Sequence, residues 1–349
     1  MKVCILGPVT TNKYWGGVAT FDEALAEAFI EEGHDTTIIS TQSGEEVHKK
    51  ELPINICKKG QLVAEVQNIE PDIAIASLDY GRFFSRIKGC RKVYFLHGFF
   101  NFASYGAVKS LLAVCYQKWM CSYADEIVSN SYFTSALNYK FWKIKSDKVA
   151  WLGADSEYIH RVKQKKTIAN ANNGNVLFAG RLVKGKGVDT IINAFAQLEN
   201  CAKKYTLVIA GDGPLRQELE DLTKSKGVNV RFLGKVEHSK MYELYSDSEV
   251  FISLNETEPF GITYVEALLS GCKIICPKTG GQVEFLCDYT DRVKFVDCNS
   301  MLDIKSSLIN LIERRVDSMD SRKLTEKFSY RNAVRTICYG EKDDERTSY

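Results

Sequence analysis

Short β-branched or apolar runs alternate with amphipathic stretches along the whole of this 349-residue sequence, and that alternation constrains the fold more than any other feature. In the first half the runs are Val3–Gly7, Thr36–Ser40, Ile54–Cys57, Asp72–Ser77, Lys92–His97, Glu126–Ser131 and Val149–Gly153. Between them lie patterns such as Val18–Glu32, where Phe21, Leu25, Ala28 and Phe29 share one helical face. Strands apolar along their whole length must be covered on both faces, which calls for helices between parallel neighbours. The fold class is α/β.

Residues 156–174 interrupt the alternation with a polar, basic, Asn-rich stretch that reads as a linker, set at 161–174. The pattern resumes with Asn175–Gly180, Thr206–Gly211, Val230–Gly234, Val250–Leu254, Lys273–Cys276 and Val293–Val296. Two Rossmann-like parallel-sheet domains are therefore expected, over 1–160 and 175–329. At about 150 residues per domain, the chain length agrees. Tyr330–Gly340 has a helical pattern after the second sheet is complete, and its Val334, Ile337 and Cys338 need a surface to cover.

Composition removes several function classes. Lys+Arg 46 against Asp+Glu 44 gives a net charge of +2, which supplies no chain-wide basic field for nucleic acid. The 11 cysteines form no C-x-x-C pair and no zinc spacing, and Cys4, Cys57 and Cys276 sit inside apolar runs. A reducing cytoplasm is the expected compartment. The N-terminal apolar run is too short for a signal-peptide core, and no window holds 18 uninterrupted apolar residues.

Four glycine-containing segments follow candidate strands. Gly16-Gly17 opens the first helix, either as a plain loop or as a backbone cradle for an anion at the helix N-terminus. GRLVKGKG at 180–187 brackets a loop with Arg181 and Lys186, two cations where open α/β sheets bind ligands. Gly211 and Gly213 in AGDGP suit a tight turn as well as a ligand contact. NETEPFGITYVEALLSG at 255–271 sets Glu258 in a loop stiffened by Pro259. Gly261 opens a helix there that carries Glu266. His97 ends a strand ahead of Gly98 and an aromatic run. No strand-end D-x-D for a nucleotide metal is present; Asp247-Ser248-Glu249 precedes a strand instead.

Taken together, these pieces resemble the retaining glycosyltransferases of family four, on the two-domain GT-B fold. The resemblance runs through WGGV, GHD (33–35), the HG after the fifth strand, SNS (129–131) and LGAD (152–155). It continues through GRLVKGKGVD, VIAGDGPLR, VRFLGKV, EPFGITYVEALLSG and TGGQVEFL (279–286). It implies that Arg181 and Lys186 hold the donor diphosphate, with Gly16, Gly17 and the amides near Gly261 beside it. Gly211, Gly213, Val236, Pro259, Phe260 and Ile262 would complete the donor site. Glu266 would accept from the ribose hydroxyls, Glu258 would bind the transferred sugar, and His97 would contact that sugar from the first domain. Phe328-Ser329-Tyr330 resembles the start of the family's terminal helix, assigning 330–349 to the first domain. No cofactor or metal is implied.

The partners expected are a nucleotide-sugar donor, UDP-sugar ahead of GDP-mannose, and a saccharide or lipid-linked glycan acceptor. A nucleotide-sugar epimerase, an α-glucan phosphorylase or a non-catalytic sugar-binding subunit are the alternatives. One segment adds a membrane question. Aromatics gather at Phe99, Phe100, Phe102 and Tyr105. Val108, Leu111, Leu112, Cys115 and Trp119 then share a helical face, with Lys109 and Lys118 elsewhere. That face either packs on the first sheet or lies in a lipid headgroup layer as a weak peripheral contact.

Overall fold

A computed structural model of the chain describes residues 1–11, 16–42, 52–100, 106–171, 173–198 and 204–339. It divides into one unit of Met1–Ser156 with the chain from Phe328 onward, and a second of Glu157–Lys327.

The first unit is a parallel sheet of β1 (Lys2–Leu6), β2 (Asp35–Ser40), β3 (Ile54–Ile56), β4 (Ile73–Ser77), β5 (Arg91–Leu96), β6 (Glu126–Ser129) and β7 (Lys148–Val149). Their order is β3-β2-β1-β4-β5-β6-β7. Side chains alternate across this sheet with period two. Val3 and Ile5 of β1 join Phe21, Leu25 and Phe29 of α1 (Gly17–Glu31). Cys4 and Leu6 face the opposite cluster, with Val66 of α2 (Leu62–Ile69), Tyr94 and Met120. Ladder pairing ends at Val149, short of the expected Gly153, and Ala154 N instead donates to Phe328 O at 2.9 Å.

Helix α3 (Ala107–Cys121) is oriented against its own hydrophobicity. Ser110, Val114, Gln117, Met120 and Cys121 are buried, whereas Val108 is 72%, Leu111 54% and Leu112 65% exposed. Packing on the sheet, one of the two expectations for that face, is overturned. After it comes α4 (Tyr132–Trp142), where Ser131 Oγ accepts from Thr134 N at 2.9 Å as a side-chain N-cap.

The supposed linker is folded. Helix α5 (Ser156–Lys163) buries Tyr158, Ile159 and Val162, and β8 (Thr167–Ile168) pairs antiparallel with β15 (Met319–Asp320). Asn170 Nδ2 donates to Glu249 O and Gly271 O, both at 2.9 Å. The stretch reads as polar because only one face of a short helix and a few side-chain amides engage the second unit.

The second sheet holds β9 (Asn175–Ala179), β10 (Thr206–Ala210), β11 (Val230–Gly234), β12 (Val250–Ile252), β13 (Lys273–Pro277) and β14 (Val293–Val296), all parallel, ordered β11-β10-β9-β12-β13-β14. Between and after these strands run α6 (Val188–Ala196), α7 (Arg216–Lys226), α8 (Met241–Ser246), α9 (Ile262–Leu269), α10 (Val283–Leu286), α11 (Met301–Glu313) and α12 (Ser321–Lys327). Ile191, Ile192 and Phe195 of α6 pack with Leu308 and Leu311 of α11 over Val176 and Phe178.

The last helix, α13 (Tyr330–Tyr339), belongs to the first unit. Tyr330, Ala333, Val334 and Ile337 join the core cluster of α1, which supplies the surface its apolar face needs. Arg331 pairs with Glu31 of α1 at 3.0 Å. The remainder of the expected crossing segment, 340–349, lies outside the described residues, as do Trp15, Phe102 and Tyr105. Among the described residues, no helix is long and apolar enough to cross a membrane.

Candidate functional site

In a parallel α/β sheet the loops that can hold a ligand leave the carboxyl ends of strands, at the point where strand order reverses. In the second unit that point lies between β9 and β12. The loop of Arg181 and Lys186 follows β9, and the loop of Glu258 follows β12. Topology thus brings together motifs some seventy residues apart.

Lys186 Nζ lies 3.1 Å from Glu258 Oε2, the same oxygen that accepts from Asn255 Nδ2 at 2.7 Å. The pair is partly buried, with side-chain exposures of 29% and 20%. Asn255 is itself fixed, its Oδ1 accepting from Thr257 N at 3.3 Å. Arg181 is exposed, and its guanidinium pairs with no carboxylate among the described residues. Next to Glu258, Gly261 takes a left-handed φ of 91° as the residue before α9, and a Cβ there would meet the Tyr264 ring at 2.5 Å. Only glycine makes this turn without strain. No side chain caps α9, so its first amides remain available to an anion.

Glu266, one turn into α9, is buried, and its Oε1 lies 2.9 Å from Nε2 of His238. His238, which opens a short 3-10 turn beyond β11, was not singled out from the sequence. The Tyr158 hydroxyl donates to Glu266 O at 2.8 Å, and burial together with the Glu266 charge holds that phenol well above its ordinary pKa. Glu258 and Glu266 thus have separate partners, Lys186 with Asn255 and His238. Val236, Pro259 and Ile262 are half-buried around these loops, while Phe260 is buried against the Phe285 ring at 5.0 Å. Gly281 N donates to Glu258 O at 2.9 Å, which ties the TGG loop to the EPFG loop.

Gly211 and Gly213 have a structural reason of their own. A Cβ on Gly211 would stand 1.8 Å from Gly180 O, and one on Gly213 2.4 Å from Leu182 O. The loops after β9 and β10 are stitched backbone to backbone, with Leu182 N donating to Asp212 O at 2.9 Å.

The first unit carries its polar groups at the equivalent reversal, between β1 and β4. Gly16 is extended, Gly17 opens α1, and no side chain caps that helix either. His97 Nε2 lies 2.9 Å from Ser77 Oγ at the end of β4, and Ser77 Oγ donates to Asp22 Oδ1 on α1 at 2.7 Å. Burial lowers the His97 pKa to about 3 and pushes the fully buried Asp22 carboxyl well above its usual range. Phe21 meets the His97 ring edge-on at 4.6 Å. Asp22 is the second residue that sequence reasoning passed over. Its signal was a carboxylate on the apolar face that Leu25 and Phe29 occupy.

Among the described residues, no group of three or more His, Cys, Asp or Glu converges as metal ligands would. Chemically, the second-unit site offers a guanidinium with no carboxylate partner among the described residues, one ammonium that can exchange its carboxylate for phosphate, and an uncapped helix N-terminus. Alongside them stand two carboxylates suited to accepting from hydroxyls.

Residues 160–333 match the family described as Glycosyl transferases group 1. An uncharacterised glycosyltransferase of Methanocaldococcus jannaschii is 39% identical over 114 residues, 32% of this chain and 29% of that protein. From Campylobacter jejuni, a GalNAc-alpha-(1->4)-GalNAc-alpha-(1->3)-diNAcBac-PP-undecaprenol alpha-1,4-N-acetyl-D-galactosaminyltransferase is 36% identical over 135 residues, 38% of this chain and 37% of that protein. The match spans about a third of these relatives' own lengths. Anabaena HepE, crystallised with UDP, superposes with a TM-score of 0.70 at 20% identity, over 97% of this chain and 95% of that one. The two parallel-sheet units are those of the GT-B fold, and through residues 160–333 the chain belongs to the glycosyl transferases group 1 family.

Proposed function

We propose that the protein is a retaining glycosyltransferase. It moves a sugar from a nucleotide diphosphate sugar to a glycan acceptor borne on a lipid carrier or cell-wall polymer. UDP-sugar is the preferred donor and GDP-mannose the second choice. The observation that carries this reading is the convergence of Arg181, Lys186 and Glu258 at the strand-order reversal, beside the uncapped α9. Breaking the anomeric C–O bond leaves charge on the nucleotide diphosphate. Fixed cations and backbone amides stabilise that charge with no reorganisation at the moment of reaction. Arg181 is suited to bidentate contact with phosphate, and Lys186 acts as a point charge. When the diphosphate takes Lys186, Glu258 is released to accept from hydroxyls of the transferred sugar. Glu266, oriented by His238, accepts from the ribose.

With these cations in place the reaction needs no metal, and the leaving phosphate takes the acceptor's proton on the face where the sugar departs. UDP bound to HepE and the polyprenol-linked acceptor in the Campylobacter relative's name support the donor and acceptor classes. The thiol-rich composition favours the cytoplasm as the working compartment. The test is nucleotide release by the purified chain, offered UDP-sugars and GDP-mannose with lipid-extract acceptors. Release of UDP with sugar transferred supports the reading. Donor binding with no release favours a sugar-binding subunit, and phosphate-dependent release favours a phosphorylase.

A further inference from the structure

The inside-out helix α3 is a feature that the donor site leaves unused. Val108, Leu111, Leu112, Tyr116, Trp119 and Tyr123 are all exposed, at 72%, 54%, 65%, 40%, 42% and 39%. At about 100° per residue these positions form one continuous stripe along α3 and the residues after it. The opposite side, through Ser110, Val114 and Gln117, holds the helix to its own unit. The stripe is ordered, since Trp119 stacks on Tyr116 at 5.8 Å and meets Tyr123 edge-on at 5.5 Å. Isolated exposed apolar side chains need no explanation, but a contiguous patch does.

Charge identifies what covers it. Lys109 and Lys118, both exposed, fall on opposite borders of the stripe by the same helical count. Within α3, from Ala107 to Cys121, Lys109 and Lys118 are the only charged residues, so the helix carries charge of one sign. A protein partner's apolar patch would fit the stripe alone. An apolar stripe bordered by lysines that can snorkel, with Trp and Tyr along it, fits the boundary between acyl chains and anionic headgroups.

We propose that α3 seats the first unit on the surface of an anionic bilayer, with the stripe in the headgroup layer and Lys109 and Lys118 against lipid phosphates. This goes beyond the proposed activity and stands independently of it, because the surface shares no residue with the donor site.

Flotation of the purified chain with vesicles of phosphatidylglycerol and phosphatidylcholine, against phosphatidylcholine alone, is the test. The wild type should float with the anionic vesicles at low salt and be released by high salt. Leu111→Glu with Leu112→Glu should lower the partition coefficient tenfold or more. Each of Lys109→Ala and Lys118→Ala should lower it about fivefold on anionic vesicles. The substituted side chains are exposed, so melting temperatures should match the wild type. As a reading that needs no disruptive variant, tryptophan emission should shift blue on vesicle addition, and Trp119→Phe should abolish the shift. No flotation of the wild type, or equal flotation of the Leu111/Leu112 variant, overturns the proposal. So does a wild-type dimer in solution that the same variant dissociates, which would assign the stripe to a second copy.

Discussion

The two units set polar groups at the same topological position and treat them in opposite ways. In the second, the reversal between β9 and β12 carries charged groups open to exchange: Lys186 with Glu258, and Arg181, which has no carboxylate partner among the described residues. In the first, Asp22 and Ser77 are buried beside the reversal between β1 and β4, and Ser77 links Asp22 to the half-buried His97 that follows β5. Burial there disfavours the charged form of both titratable groups, raising the carboxyl and lowering the imidazole. One arrangement presents charge that an anion can compete for. The other presents hydrogen-bonding groups whose charged forms burial disfavours. Shared topology provides the place, and local dielectric and pairing decide what each place can bind.

The comparison breaks first at Lys186. Lys186→Ala removes a preorganised cation and should lower kcat by about 10²–10³, or about 2.7–4 kcal/mol, in a nucleotide-release assay. Near-normal turnover would make the second-unit charges ordinary surface pairs. Glu266→Gln weakens a charge-assisted acceptor worth about 1.5–3 kcal/mol, so the donor KM should rise roughly ten- to hundredfold with kcat less affected. An unchanged KM would leave Glu266 as no more than a partner for His238.

The first-unit network is sharpened by pH. His97 is neutral in the fold down to about 3, against an unfolded value near 6.5, so the unfolded chain binds the extra proton between them. Its contribution is present above that window and lost as pH falls, at up to about 1.4 kcal/mol per unit. Asp22 has the opposite sign. Its raised pKa gives stability at acid pH that is lost as pH rises above the unfolded carboxylate range. Denaturant melts across this range should show His97→Gln losing the acid-side slope. Asp22→Asn should gain on the wild type as pH increases. Parallel pH curves for both variants and wild type would contradict the neutral network. The smallest expected effect is that of chelation: EDTA should leave turnover unchanged, and loss restored by manganese or magnesium would replace the fixed-cation account.

Much of this was legible in the sequence because parallel sheets demand continuous apolar strands, and the strand-end glycines and charges then fall in place. The residues that escaped notice did so for physical reasons. Asp22 sits in an otherwise ordinary amphipathic helix, and only its partners Ser77 and His97, far away in sequence, give it meaning. His238 is a lone histidine in the sequence until the fold sets it against Glu266. Helix α3 shows a sharper limit. Periodicity reports that an apolar stripe exists but not which side faces the sheet, and here Ser110 and Gln117 point inward. Residues 156–174 read as linker because average polarity hides a three-residue buried face, Tyr158, Ile159 and Val162.

Calorimetric titration of UDP into the wild type and into Arg181→Ala/Lys186→Ala tests the central claim, that the β9 and β12 loops of the second unit hold the donor diphosphate. The account predicts saturable binding by the wild type without added metal. It also predicts an affinity lowered at least a hundredfold in the double variant, whose melting temperature stays near that of the wild type. Equal UDP affinity in the two proteins would contradict it.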